Sequence, residues 1–535
     1  MLEKSNAEVK LTKTKMKFDD IFSRGRYTFI FCVLLQFTIL FQLSNMFFPS
    51  FSFLVPKITH CGNTNFVELG WDQKEICSNI QNISLNNACK PVAVADFYSV
   101  NMQWNYLCKD ALKVKTSLAT IMFGVIFGSG LGGILSDKYG RRKVLLIALI
   151  FCGIFTAISS LSSELLELTI YRTLVGFFNG ITIVITNVFL LECIPKNDKI
   201  VITNLISWPL NGIVFAFITY YFAPNWIDLA RITSLISIIP ILLLCYCICE
   251  SPRFFIQKGR IMEAKNEIKK ILAINKIKIE EVELDEILKE EHILIKSSES
   301  SVDKKYSFYH LFYSWDLVGR TLTLSSVFFI ASISKYGIMF NMESLSGSIY
   351  LNMVYASGCP FILNLIIAAA DIKYKWLGRR LVSMTFLISI FLSLSTIGFF
   401  HIFGIIKEFE TLVRILQILT VCFTGQLFTS GGALSSELYP TGVRNMAYSI
   451  LQVSARWGGV LAPYFFYLSS ISESIPYLSL SLITIVTTIA FFFIIPEAKG
   501  KPLNERMPSK EECIFGNKKK IDIEMNEKES EKMLA

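Results

Sequence analysis

Histidine is scarce in these 535 residues: the four present, His60, His292, His310 and His401, sit in separate segments with no metal-ligand spacing. That pattern argues against a metal site or a histidine-based catalytic centre. Charge is also thin, with Asp, Glu, Lys and Arg making up 18% of the chain, and no Asp or Glu falls in the middle of a long apolar run. A phosphate-binding glycine loop is missing too. GSGLGG (128–133) and GFFNG (176–180) lie inside apolar stretches, where glycine serves close helix packing rather than nucleotide binding. Enzyme function, ATP-driven transport and a bound cofactor therefore find no support.

What the chain has in excess is apolar surface: 52% hydrophobic residues, 44 phenylalanines and a mean hydropathy of +0.49. About a dozen runs reach the roughly 20 residues needed to cross a bilayer core. Their centres fall near 38, 127, 153, 179, 211, 239, 330, 359, 389, 422, 457 and 485. The first run begins at Tyr27 after a basic head (1–26), passes Phe48 and lacks a small-residue cleavage site, so it reads as a permanent span. The net charge of +9 does not point to nucleic acid, because the basic residues cluster in short loops: Lys138, Arg141, Arg142 and Lys143, then Lys196 and Lys199, then Lys373, Lys375, Arg379 and Arg380. With the head inside, every one of these loops is cytosolic, as the positive-inside rule requires. The expectation is an integral protein of the plasma membrane with both termini cytosolic, and with the lipid bilayer and a small substrate as its partners.

Between the first two spans lies a polar outer loop (about 49–115) carrying Cys61, Cys77, Cys89 and Cys108. Four cysteines in an oxidising exterior close two disulfides, by any of three pairings. Asn82-Ile83-Ser84 in the same loop is an N-glycosylation sequon. A hydrophilic linker (250–318) with helical charge spacing separates spans six and seven, and a charged tail (496–535) has too few apolar residues to fold alone. The two six-span halves, 27–249 and 319–495, share markers. Asp137, Gly140, Arg141 and Arg142 follow the second span as Asp371, Gly378, Arg379 and Arg380 follow the eighth, and Arg172 opens the fourth as Arg414 opens the tenth. Glu192 to Pro195 closes the fourth span as Glu437 to Pro440 closes the tenth. Four marker pairs in one order at nearly constant offset indicate an internal repeat.

The loop GILSDKYGRRK (133–143) assigns a use to each residue: Gly133 for close approach of another helix, Gly140 for a tight turn, Asp137 for capping or pairing, and Arg141 and Arg142 for gripping carboxylates on the opposite bundle as a latch. This pattern resembles the signature loop of the major facilitator superfamily. Further stretches narrow the resemblance: CESPRFFIQKGRIMEAKNEI from Cys249, which contains Arg253; SSELYPTGVRNMAYS from Ser435, with Glu437 and Arg444; SARWGGVLAPYF from Ser454; PEAKGKPL from Pro496; and QWNYLC, with Trp104 and Cys108. Together these are similar to the organic cation, organic anion and carnitine transporter family. The resemblance implies an all-α membrane protein of the major facilitator fold, with twelve transmembrane helices in two pseudo-symmetric halves. Sugar porters share Glu-Ser-Pro-Arg and Pro-Glu-x-x-Gly, but the long outer loop and a seventh span without paired glutamines point away from sugar. The chain departs from the family pattern at ADIKYKWLGRR, with six residues rather than two between Asp371 and Gly378, and at Lys335-Tyr336-Gly337, where two aromatics commonly precede the glycine.

An arginine at a helix centre costs ~2.5–3.5 kcal/mol on insertion scales, so Arg456, near the middle of the eleventh span, demands a reason. Ser449, Gln452, Gly459 and Pro463 share its helical face and mark it as cavity-lining. Lys335, on a face with Ser325 and Ser332, either adds a second positive charge to the outer half of the pocket or snorkels outward, while Tyr336 and Trp208 offer aromatic wall. A positive pocket without acids suits organic anions or carnitine-like zwitterions. In the family resemblance the Arg456 position is basic in anion and carnitine carriers and acidic in cation carriers. An organic cation carrier, a sugar porter and a non-transporting receptor are the competing readings.

Overall fold

Hydrocarbon offers no partner to a backbone N–H or C=O, so apolar runs of this length satisfy themselves as helices. The computed structural model contains α1 (Arg26–Ser52), α2 (Ala111–Tyr139), α3 (Arg141–Ser159), α4 (Leu165–Cys193), α5 (Trp208–Phe222), α6 (Trp226–Tyr246, interrupted at Ser237), α7 (Trp315–Met339), α8 (Ile349–Lys373), α9 (Arg379–Phe403), α10 (Glu410–Leu438), α11 (Arg444–Tyr467) and α12 (Ser474–Ile494). Residues 18–497 are described, except 23–24, 63, 67, 72, 74, 81–88, 109, 195–201, 203–205, 301–307, 375–377, 441–442 and 471. The Asn82 sequon, Pro195, Lys196, Lys199, Lys375 and most of the charged tail lie outside the described residues, as does the side chain of Asp371. Ten of the twelve helices are long and apolar enough to cross a membrane. Of the other two, α5 has 15 residues and α11 carries Arg444, Gln452 and Arg456.

In the first half α4 packs along α2 and α3; in the second α7 packs along α11, and α9 along α10 and α12. The halves meet along α5 with α8 and α2 with α11. The α2–α4 seam depends on missing side chains. A Cβ on Gly124 would run into the Thr173 carbonyl, one on Gly128 into the Phe177 carbonyl, and one on Gly132 would lie 2.9 Å from the Ile181 Cα. Reciprocally, Gly176 and Gly180 face the carbonyls of Ile121 and Val125. The glycines recur every four residues, the spacing of one helix face. Gly133, expected to allow such an approach, has nothing within 4 Å of its would-be Cβ. It lies one residue, about 100° of helix, beyond Gly132 and off that face.

The loop after α1 forms a small antiparallel sheet in the order β2-β1-β3, with β1 (Lys57–Cys61), β2 (Thr64–Asn65) and β3 (Pro91–Val94). Of the three open pairings, the disulfides are Cys61–Cys89 and Cys77–Cys108. Asn101 Nδ2 donates to the carbonyls of Phe53 and Leu54, and Trp226 Nε1 donates to Gln103 Oε1 at 2.7 Å, docking the loop onto α1 and α6. At the opposite face, three helices (Pro252–Gln257, Ile261–Asn275 and Glu281–Ser300) form the linker expected from its charge spacing. Ion pairs Lys265–Asp285 and Lys269–Glu281 join the last two. Arg253 binds the linker here, 3.7 Å from Glu291 and over the ring of Phe18. We call the two ends of the molecule the sheet face and the linker face.

Gly128→Ala should destabilise the protein by about 2 kcal/mol or more, because backbone blocks the added methyl, whereas Gly133→Ala should be neutral or gain up to about 1 kcal/mol of helix propensity. Thermal unfolding of the two purified variants checks this; equal effects would remove the assigned seam.

Candidate functional site

Between the halves lies a cavity of about 610 Å³. Phe47 of α1 and Tyr336 and Met339 of α7, from the sheet-side parts of their helices, line its inner end. Leu191 of α4, Ser207 before α5 and Tyr448 of α11 bring it to the linker-side ends of theirs. Arg456, Lys335, Tyr336, Gln452, Trp208 and Ser332 all line it. The cations come together because α7 and α11 pack almost backbone to backbone: a Cβ on Gly458 would sit 2.5 Å from the Phe329 carbonyl and 2.9 Å from the Ser332 Cβ, and Gly459 lies against the Tyr336 ring. Neither Arg456 nor Lys335 has a carboxylate partner among the described residues, and the described lining contains no Asp or Glu. Lys335 Nζ stands 5.9 Å from the centre of the Phe428 ring. Gln452 Nε2 donates to the Tyr448 hydroxyl at 2.8 Å, which orients its amide one turn below Arg456.

The expected stripe on α11 is narrower than its spacing implied. Ser449 is exposed, Pro463 is buried, and Gly459 is used for packing, which leaves Gln452 and Arg456 as the members that reach the cavity. Ser325 stands almost two turns before Ser332 on α7 and does not line it. Sequence reasoning also passed over Asn187, Asn364 and Tyr448, polar wall residues with no charge or motif to single them out.

The signature-loop residues assemble elsewhere, into two related clusters at the linker face. Gly140 adopts φ +103°, and its hydrogen lets the Glu250 carboxylate approach. Glu250 Oε1 accepts from the backbone N–H groups of Arg141 (2.8 Å), Arg142 (2.9 Å) and Ser251 (3.1 Å), capping the positive N-terminus of α3. Burial pushes the Glu250 carboxyl pKa up, and these N–H bonds pull it back. Arg141 also lies 3.1 Å from Glu192 and 3.0 Å from Asp137, while Arg142 donates to the Leu244 and Cys245 carbonyls. In the second half Glu497 repeats the part of Glu250: it accepts from the N–H groups of Arg379 (3.0 Å) and Arg380 (3.2 Å) and leaves no room for a Cβ on Gly378. Arg379 lies 3.7 Å from Glu437, Arg380 donates to the Phe492 carbonyl, and Arg444 donates to the Tyr439 carbonyl. Arg141 and Arg142 were expected to grip the opposite bundle, and their contacts instead reach the first half and Glu250 at the start of the linker that follows it. Glu250 and Glu497, which anchor both clusters, were not among the expected site residues, although each stands in a quoted motif, CESPR and PEAKG. A carboxylate aimed at backbone N–H groups leaves no charge pair to read in sequence.

Arg172 joins neither cluster. It is buried inside the first half, with Nη1 donating to Asn45 Oδ1 at 3.3 Å.

At the sheet face, contacts cross between the halves. Lys115 of α2 donates to Glu343 Oε1 and Asn341 Oδ1, both at 2.5 Å, from a position 22% exposed against 17% for Glu343. The Tyr350 hydroxyl donates to the Asp96 carbonyl at 3.3 Å, and its ring lies 5.1 Å from Tyr220 and 5.6 Å from Phe51. The cavity is thus covered at the sheet face while it extends to the linker-side ends.

The chain matches the family described as "Sugar (and other) transporter" over residues 69–508. A protein of Xenopus laevis named solute carrier family 22 member 15-like is 28% identical over 418 residues, 77% of this chain and 81% of that one. The human organic cation/carnitine transporter 2 is 26% identical over 404 residues, 75% and 70% of the two chains. The inward-open conformation of the xylose transporter XylE from E. coli has a TM-score of 0.61 at 15% identity, covering 88% of this chain and 98% of that one, a likeness of fold. Two six-helix halves around a central cavity, a family match over most of the chain and relatives that are solute carriers lead to one conclusion: this chain belongs to the sugar (and other) transporter family of the major facilitator superfamily, as a membrane transporter of the solute carrier 22 type.

Proposed function

We propose that the protein carries small organic anions or carnitine-like zwitterions by alternating access, with the substrate held between Arg456 and Lys335. The observation that carries this reading is the pairing of two cations in one cavity whose described lining has no acid. At an effective dielectric of ~20, opposite charges 4 Å apart gain ~4 kcal/mol, so a carboxylate or sulfonate is attracted and a simple cation repelled. Tyr336, Trp208, Tyr448 and Phe428 supply aromatic faces for the organic body, and for a quaternary ammonium where the substrate is a zwitterion. A relative named for cation and carnitine transport fits the zwitterion reading and leaves a pure cation carrier as its competitor.

In this reading the sheet face is extracellular, since its disulfides belong to an oxidising compartment and the basic loops Lys138–Lys143 and Arg379–Arg380 lie at the linker face. The protein then stands in the plasma membrane with both termini cytosolic, and the described conformation faces inward. The segments 27–249 and 319–495 move as units, each held at the cytosolic side by its own carboxylate-capped cluster, and Lys115 with Glu343 closes the outer side.

Arg456→Ala should lower uptake of a labelled organic anion at least tenfold with surface expression unchanged, measured beside a carnitine-like zwitterion and a simple organic cation. Robust uptake of the cation alone by the native protein would falsify the positive-pocket reading. Lys115→Glu should slow turnover, and adding Glu343→Lys should restore much of it by re-forming the pair in reverse; a double variant no better than the single one counts against the gate. Glu250→Gln, which weakens its bonds from the N–H groups of Arg141, Arg142 and Ser251, should reduce functional protein more than Asp137→Asn, whose carboxylate is 70% exposed. Surface labelling with initial uptake rates ranks the pair.

A further inference from the structure

A second positive site lies apart from the central cavity. Arg172 is 1% exposed, and its Nε and Nη2 have no hydrogen-bond partner among the described residues. Among the described residues its one hydrogen bond goes to Asn45 Oδ1, which also accepts from the Thr156 hydroxyl at 3.0 Å, and the buried Cys152 thiol lies near enough to interact with the guanidinium. The Phe48 ring, centred 3.2 Å from the guanidinium carbon, covers one face of the group and supplies no formal charge. Beside Arg172 is a cavity of about 10 Å³, with room for one water or one small ion, whose described lining includes Asn45, Asn179, Gly176 and Val125 and no Asp or Glu. A buried guanidinium without a counter-charge is among the costliest arrangements a fold can hold. Gly176 is set against the Ile121 carbonyl beside it, and no described Asp or Glu forms an ion pair with Arg172.

We propose that this cavity holds one small monovalent anion, chloride in an ordinary medium, as the counter-ion of Arg172. The N–H groups of the two unpartnered nitrogens, Nε and Nη2, supply its donors, and the ion neutralises the charge where α1 and α4 meet. The site stands independently of the substrate reading, since none of the residues around Arg172 lines the central cavity.

The test uses the full-length protein, purified in detergent with gluconate as the sole anion and titrated with chloride at constant ionic strength while thermal unfolding is followed. The native protein should show a saturable rise in unfolding midpoint with chloride. The same rise should persist in Arg456→Ala/Lys335→Ala, which removes the cations of the central cavity. Asn45→Asp sets a carboxylate against Arg172 without changing the side-chain shape, so its midpoint in gluconate should be higher and its response to chloride lost. Bromide in place of chloride should give a heavy-atom peak beside Arg172 in an experimental structure, a readout that does not depend on any variant folding. A chloride response that is absent, lost with the central-cavity cations or unchanged in Asn45→Asp would overturn the assignment, as would water-sized density in place of bromide.

Discussion

Charge in hydrocarbon is the constraint around which this fold is organised. A cation at mid-membrane, as Arg456 is, costs ~2.5–3.5 kcal/mol on insertion scales unless it is wetted or paired, and the described chain gives neither Arg456 nor Lys335, nearer the sheet-side end of α7, an acid to pair with. They are tolerated because they face a cavity that extends to one end of the molecule. That requirement propagates outward. The two helices that carry the cations must touch, which Gly458 and Gly459 permit, and the linker-side ends of α4, α5 and α11 must stand apart so that the cavity reaches them.

The same constraint explains the arrangement at the linker face. Helices α3 and α9 begin at the membrane edge with bare N–H groups and two arginines each, a concentration of positive potential. Glu250 and Glu497 cap them from the segments that directly follow each six-helix half. The contacts named above join each arginine pair to its own half and to the segment that follows it, not across to the other half. Signature loops that gripped the opposite bundle would have to be torn apart in the described state; loops that stiffen their own half need not be.

Much of this was legible in the sequence, because hydropathy length, basic loops and repeated markers all follow from the bilayer itself. The twelve apolar runs and the two halves were legible in hydropathy and repeated markers, and Gln452 and Arg456 shared one helical face by spacing, whereas the sequence left Lys335 open between the cavity and the outer surface and offered Tyr336 only as an aromatic near it. Failures came where partner choice depends on three dimensions. Gly132 and Gly133 are equivalent as letters, yet one faces α4 and the other does not. The arginines of the signature loop were matched to carboxylates by charge, while the decisive bonds run from backbone N–H groups, which every residue but proline has. The cysteine pairing was open among three choices because loop length alone does not rank them, and the small sheet that sets it is a local fold of few residues.

Under the proposed cycle the closure at the sheet face must be firm enough to exclude leak and weak enough to open. A partly buried ion pair such as Lys115 with Glu343 contributes on the order of 1 kcal/mol, a several-fold bias. Swinging a two-state equilibrium from 1:99 to 99:1 takes about 5.5 kcal/mol. The remainder must come from apolar contacts across the halves, and Phe51, Tyr220 and Tyr350 provide them near the surface. Deeper down, Tyr336 lies 6.4 Å from Phe47 across the same seam and also lines the cavity. A substrate that presses on Tyr336 while drawn to Lys335, its neighbour in sequence, therefore acts on the contact that separates the cavity from the sheet face, so binding and release share one piece of structure.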